Sequence, residues 1–224
     1  MKKGKIIVLE GLDGCGKSTQ LDLAFGYLKE NGVNCRSVSF PNYNAASGQI
    51  IKQYLDGAIP CEGRNGAYAA SAMYALDRYI SYVSGWKEFY ESGGVILAGR
   101  YTTSNAIYQL TKLPPNEQEY YLNWLCDFEY GKLGLPEPDL VIYLDMPIEV
   151  SQKLLDNRYS VEGGKKDIHE SNLDFLRECR KSAMYVADQC GWNVIECSDG
   201  EYPLPIEDVY DKVCSCLKVL LNYA

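Results

Sequence analysis

"KIIVLEGLDGCGKST", residues 5–19, is the stretch that decides the fold. It opens as an apolar run from Lys5 to Leu9, of strand length, and closes as G-x-x-x-x-G-K-[ST] on Gly11, Gly16, Lys17 and Ser18. A helical pattern comes directly after, over about 17–30. Strand, glycine-rich turn and helix in that order make a phosphate-binding loop. Glycines at 11, 14 and 16 let the backbone wrap so that its N–H groups point inward, and the positive end of the helix adds to them. Lys17 places a charge on the β- and γ-phosphates, the Ser18 hydroxyl serves as a magnesium ligand, and Cys15 and Thr19 complete the cradle. The predicted ligand is a nucleoside triphosphate.

Outward from this loop, β-rich segments recur at 5–10 ("KIIVLE"), 35–40 ("CRSVSF"), 94–99 ("GVILAG"), 139–145 ("DLVIYLD") and 192–197 ("WNVIEC"). Each reads as nearly continuously apolar, the pattern of strands buried on both faces. Helical patterns separate them, near 17–30, 45–57, 66–84, 86–92, 102–112, 116–132, 147–156, 171–190 and 205–221, with room for crossover connections. The expected class is therefore α/β, a parallel sheet covered by helices. At 224 residues, 46% hydrophobic and 23% charged, the chain suits one domain spanning 1–224.

A net charge of −8 argues against a constitutive nucleic-acid partner, since phosphate-backbone affinity needs a lysine and arginine surface. The nine cysteines form no C-x-x-C pairs and there is a single histidine, His169, so reduced structural thiols are expected rather than zinc. Apolar runs are short and the N-terminus lacks the apolar core of a secretory signal; no membrane association and a cytoplasmic location are expected.

A phosphate loop alone leaves switches, motors and kinases open. The chain has no Asn-Lys-x-Asp to read guanine and no Asp-x-x-Gly after the third strand, and it is short for a motor. Phosphoryl transfer to a small anionic acceptor requires a second set of cations at the carboxyl edge of the sheet, where Arg100 falls. A guanidinium suits a phosphate monoester; a strand-end arginine that snorkels to water is the competing reading. The segment "NRYSVEGGKKDIHES", 157–171, reads as a basic excursion, and on its own as a solvated surface loop.

"VLEGLDGCGKSTQ", "SFP", "YALDRY", "GRYTTSN", "GLPEPDLVIYLD" and the basic loop ending "DIHE", in this order, resemble the thymidylate kinase family along nearly the whole chain. The resemblance implies a five-stranded parallel sheet with helices on both faces, the P-loop nucleoside triphosphate hydrolase fold. It also implies transfer of the γ-phosphoryl of ATP to dTMP, giving dTDP, with magnesium and in a homodimer. Asp13 would accept from the sugar 3′-hydroxyl, Arg78 donate to the thymine edge, Tyr74 stack on the base and Phe40 wall the pocket. Arg100 would hold the acceptor phosphate and Tyr101 fill the place of a 2′-hydroxyl, with Ser104 and Asn105 lining base or phosphate. Gly14 stands where one type in the family carries a basic residue. The chain thus resembles the lid-arginine type, with Arg158 as the charge-neutralising residue, Lys165 and Lys166 beside it, and 157–171 as a mobile lid.

Two positions depart from the pattern. Tyr43 stands near where the family often has an arginine, and Gly99 stands where its motif has aspartate, which would lie near magnesium. Gly99 leaves open another nucleotide or nucleoside kinase, or a catalytically weak nucleotide-binding protein. Gly99→Asp is expected to raise turnover, unless Asp13 or Asp145 already fills the role.

Overall fold

The apolar run that opens the chain becomes the central strand of the sheet. In a computed structural model, which describes residues 3–162 and 172–222, β1 (Lys5–Gly11) lies between β3 (Val95–Gly99) and β4 (Leu140–Asp145). Outside these lie β2 (Cys35–Ser39) and β5 (Asn193–Glu196), giving the order β2-β3-β1-β4-β5 with every pair parallel. The five-stranded parallel sheet expected from the sequence is the sheet observed.

Alternation along β1 feeds two cores. Ile7 and Leu9 pack with Leu21, Ala24 and Leu28 of α1 (Lys17–Glu30) and with Val209, Val213 and Leu217 of α9 (Ile206–Asn222). Ile6 and Val8 face the other way, onto Tyr82, Trp86 and Tyr90. The outer strands depart from the expectation of burial on both faces: in β2 only Cys35 is buried and in β5 only Ile195, because a sheet edge has a neighbour on one side only.

The remaining helices are α2 (Ala46–Leu55), α3 (Gly63–Ser81), α4 (Lys87–Glu91), α5 (Thr102–Tyr108), α6 (Pro115–Cys126), α7 (Ile148–Glu162) and α8 (Leu173–Cys190). Two of the long helical patterns pass into π-helical turns, at Tyr82–Trp86 and Asp127–Lys132. The helix expected to stop at 156 continues to Glu162, so the first part of the basic segment is helical; residues 163–171, with Lys165 and Lys166, lie outside the described residues. No helix among the described residues is long and apolar enough to cross a membrane. Parallel strands with crossover helices bring the ends of β1, β2, β3 and β4 to one edge, and the candidate residues gather there.

Candidate active site

The loop after β1 takes the form that its glycines allow. Gly14 and Gly16 have φ of 81° and 83°, the left-handed region, and Gly16 is the N-cap of α1 without a side-chain cap. Lys17 Nζ donates to the Gly11 carbonyl at 3.1 Å, and Ser18 is exposed beside it. Cys15 is buried beneath the loop and burial raises its thiol pKa, which fits a packing role. Thr19 is exposed on α1 and, unlike Lys17 and Ser18, does not line the cavity onto which the loop opens. At Gly14 a side chain has no room: a Cβ there would lie 2.5 Å from the Ser151 carbonyl oxygen and 2.9 Å from Leu155 Cγ, both in α7.

Beyond β3 the chain turns sharply, with Arg100 at φ 64°, the single described residue other than glycine in that region. Holding a non-glycine residue there costs about 1–2 kcal/mol. The turn aims the guanidinium back over the phosphate loop, where Nη2 donates to Asp13 Oδ1 at 2.6 Å and Nη1 to Tyr108 Oη at 3.2 Å. Burial works to raise the Asp13 carboxyl, but Arg100 and Lys17 outweigh it and hold it at about 2. Behind Arg100 stands Glu10, fully buried, its carboxylate accepting from Ser104 Oγ at 2.7 and 2.8 Å and from Thr103 Oγ1 at 3.1 Å. Burial raises the Glu10 pKa, against the pull of Arg100, Lys17 and the two hydroxyls.

These groups open onto a cavity of about 350 Å³, of nucleotide size. Asp13, Lys17 and Ser18 line it together with Tyr74 and Arg78, and with Arg100, Ser104, Asn105 and Phe40. Arg78 is buried, donating through Nε and Nη2 to both oxygens of Glu129 at 2.7 and 2.5 Å and through Nη1 to the Tyr101 carbonyl at 3.3 Å. Phe40 lies against the cavity with its ring 6.0 Å from that of Tyr101.

Tyr101 requires a correction. It is fully buried and absent from the cavity wall, and its hydroxyl donates to the Pro136 carbonyl at 3.0 Å. The left-handed turn at Arg100 sends the next side chain under the sheet, into the core with Ile6, Val8 and Phe40. The tyrosine that does line the cavity beside Asp13 is Tyr108, two helical turns later, its hydroxyl 3.4 Å from Asp13 Oδ2. Tyr108, Glu10 and Glu129 are the site residues that sequence reasoning missed. Arg158 falls within α7, but its side chain lies outside what the structure describes.

The space at position 99 is occupied. A Cβ on Gly99 would meet Leu21 Cδ2 at 3.0 Å and Ser39 Oγ at 3.3 Å, while Asp13 is held by Arg100 and Asp145 by both Nε and Nη2 of Arg180 at 2.7 Å. Gly99→Asp alone is therefore expected to lower Tm by a few degrees, on the order of 1 kcal/mol of overpacking, with little gain in turnover. Paired with Leu21→Val it is expected to raise kcat. A single variant with unchanged Tm and higher kcat would show that Leu21 gives way freely.

A glycine-rich loop and a second cation-bearing pocket sharing one cavity define a P-loop phosphotransferase that acts on a small acceptor. The sequence profile described as thymidylate kinase matches residues 9–209. This chain belongs to the thymidylate kinase family, enzymes that phosphorylate dTMP from ATP. It is 32% identical over 180 residues to the thymidylate kinase of Plasmodium falciparum, covering 79% of this chain and 80% of that one. With the enzyme of Caldicellulosiruptor saccharolyticus it shares 29% identity over 221 residues, 98% of each chain. In fold it resembles the solved thymidylate kinase of Candida albicans, with a TM-score of 0.72 at 19% identity, covering 99% of this chain and 94% of that one.

Proposed function

We propose that this cavity is where dTMP accepts the γ-phosphoryl of ATP, and that the family's reaction is carried out by the residues gathered on it. The observation that carries this reading is that Lys17 and Ser18 of the phosphate loop share one cavity with Arg100 and with Tyr74 and Arg78. The triphosphate lies in the loop from Gly11 to Ser18. The dTMP phosphate lies on Arg100, and its base lies between Phe40 and Tyr74 against Arg78 and Asn105. Its sugar lies at Asp13, where Tyr108 takes the place that Tyr101 cannot.

Catalysis here is alignment and charge neutralisation. Lys17 leaves the Gly11 carbonyl for the phosphates. Arg100 keeps the acceptor oxygen in line, and Asp13, ionised at any working pH, orients the sugar. Magnesium, when bound with ATP, would supply further charge neutralisation at the phosphates. Ser18, exposed at the start of α1 on the cavity wall, suits it as a ligand, while position 99 offers no carboxylate.

The packing of α7 on Gly14 supports the lid-arginine reading, since it leaves no room for a basic side chain in the loop. On that reading Arg158, carried by α7, is the residue that neutralises the transferring group, while Lys165 and Lys166 and the rest of the segment expected to act as a lid lie outside the described residues, and the chain acts as a single domain. We read the protein as cytoplasmic and as a homodimer. The half-exposed Leu76, Ile80 and Val83, spaced along α3 and the turn after it, support a face for a second copy.

A coupled assay with ATP, magnesium and a panel of dTMP, dUMP, dCMP, dGMP and thymidine tests the reading. Turnover is expected to be highest with dTMP. ATP binding with turnover of none of them would overturn it, and preference for another acceptor would move the protein to a neighbouring kinase specificity.

A further inference from the structure

Glu129 has no exposed surface and lies in the π-helical turn Asp127–Lys132, outside the cavity wall. Its carboxylate is met by four donors: Nε and Nη2 of Arg78, Oγ1 of Thr102 at 2.8 Å and Nδ2 of Asn105 at 3.0 Å. Arg78 and Asn105 do line the cavity. One buried acid therefore holds both polar groups at the base end.

Its effect on the two is opposite. Asn105 Nδ2 also donates to the Ser71 carbonyl at 3.2 Å, so both amide hydrogens are engaged, and turning the amide over would aim Oδ1 at two oxygens. What Asn105 has left for the cavity is Oδ1, an acceptor. Arg78 spends three of its five N–H groups on Glu129 and the Tyr101 carbonyl, and what remains are donors. The wall thus offers a donor beside an acceptor. Thymine and uracil present the complement, the O4 acceptor beside the N3–H donor, whereas cytosine presents an amino donor beside the N3 acceptor.

We propose that Glu129 is a specificity-determining positioning residue: by engaging Arg78 and Asn105 together it fixes the donor and acceptor polarity of the base wall, and so selects thymine or uracil over cytosine. This rests on the reading of the cavity as the acceptor-nucleotide site. Discrimination of this kind is strong because the wrong base leaves buried polar groups unpaired.

The test is Glu129→Gln, nearly the same shape but with an amide donor in place of one acceptor. Because Arg78 donates to both oxygens, that amide N–H meets an N–H of Arg78 together with that of Asn105 or the hydroxyl of Thr102, so the pair is no longer held in one polarity and the advantage of thymine and uracil over cytosine is lost. Activity is measured with dTMP, dUMP and dCMP, with dCMP also measured as an inhibitor where its turnover is too low. The ratio of kcat/KM for dTMP over dCMP is expected to fall by about tenfold or more, with dUMP falling in step with dTMP and the loss carried by KM. A purely structural role would lower all three in parallel, and that result overturns the proposal. Thr102→Val, which strips one donor from the same carboxylate at nearly constant volume, is the second variant should the first not fold. Its dTMP over dCMP ratio is also expected to fall, and an unchanged ratio in the folded protein counts equally against the idea. Wild-type enzyme that leaves dTMP untouched sinks the functional reading instead, whatever the variants do.

Discussion

Arg100→Ala is expected to lower kcat/KM for dTMP by about a hundredfold or more, with KM for dTMP carrying at least tenfold. Truncating one partner of a desolvated, hydrogen-bonded charge pair costs about 2–5 kcal/mol, and Arg100, already paired with Asp13 and partly buried, becomes such a partner once a phosphate covers it. The stability profile gives a second readout. In the wild type Asp13 is held at about 2, below its ordinary 3.8, so its contribution to stability is fully present above pH 4 and is lost only as pH falls toward 2. Without the guanidinium, only Lys17 and the Tyr108 hydroxyl are left to oppose burial, so that carboxyl rises from about 2 and gives up most of its contribution to stability. The Tm deficit of the variant should therefore be full at neutral pH and shrink as pH falls from about 4 toward 2, where the wild type loses the same contribution. Arg100→Gly separates contact from backbone strain. It loses the same contacts but relieves the left-handed turn, and should melt about 2–4 °C above Arg100→Ala for each kcal/mol relieved. Retained dTMP affinity in both variants would mean that the acceptor phosphate is held elsewhere.

Gly14→Ala is expected to cost on the order of 3 kcal/mol, or roughly 6–12 °C in Tm. About half comes from a left-handed φ of 81° and the rest from pressing a methyl group onto the Ser151 carbonyl and Leu155. Turnover should fall with it, because α7, the helix that carries Arg158, has to lift from the loop. Gly16→Ala is the stability control: its φ is nearly the same, yet nothing lies within 4 Å of its missing Cβ. Equal melting temperatures for the two variants would show that α7 does not press on position 14. Gly14→Arg, which would convert the chain toward the loop-basic type, should be worse than either. The two ways of supplying the cation are then not exchangeable by one substitution, since the space that one type fills with a side chain this one fills with a helix.

The sequence showed much of the sheet and one half of the site because both arise from local pattern. Five apolar runs became five parallel strands, and a loop whose glycines, lysine and serine stand at fixed spacing had one conformation to adopt. The other half depends on the path of the chain after Gly99. Tyr101 comes next after a cationic strand end and looks pocket-facing in a linear reading, yet a single left-handed residue sends it inward and hands the position to Tyr108. Glu10 and Glu129 left no usable signal. An acid at a strand end and an acid on a charged helix normally face water, and these two are buried only because hydroxyl, amide and guanidinium donors from α3 and α5 converge on them.

The wide turn at Asp127–Lys132 bears on how this site can change over generations. A π-helical turn holds one more residue than the α-helical turn it replaces, and a single residue amounts to about 100° of rotation for the chain beyond it. Loss of one codon there would re-phase the helix and swing its buried acid away from Arg78, with every neighbouring letter of the protein unchanged. A one-residue deletion in that turn is thus expected to change base preference with Arg78 and Asn105 both left in place.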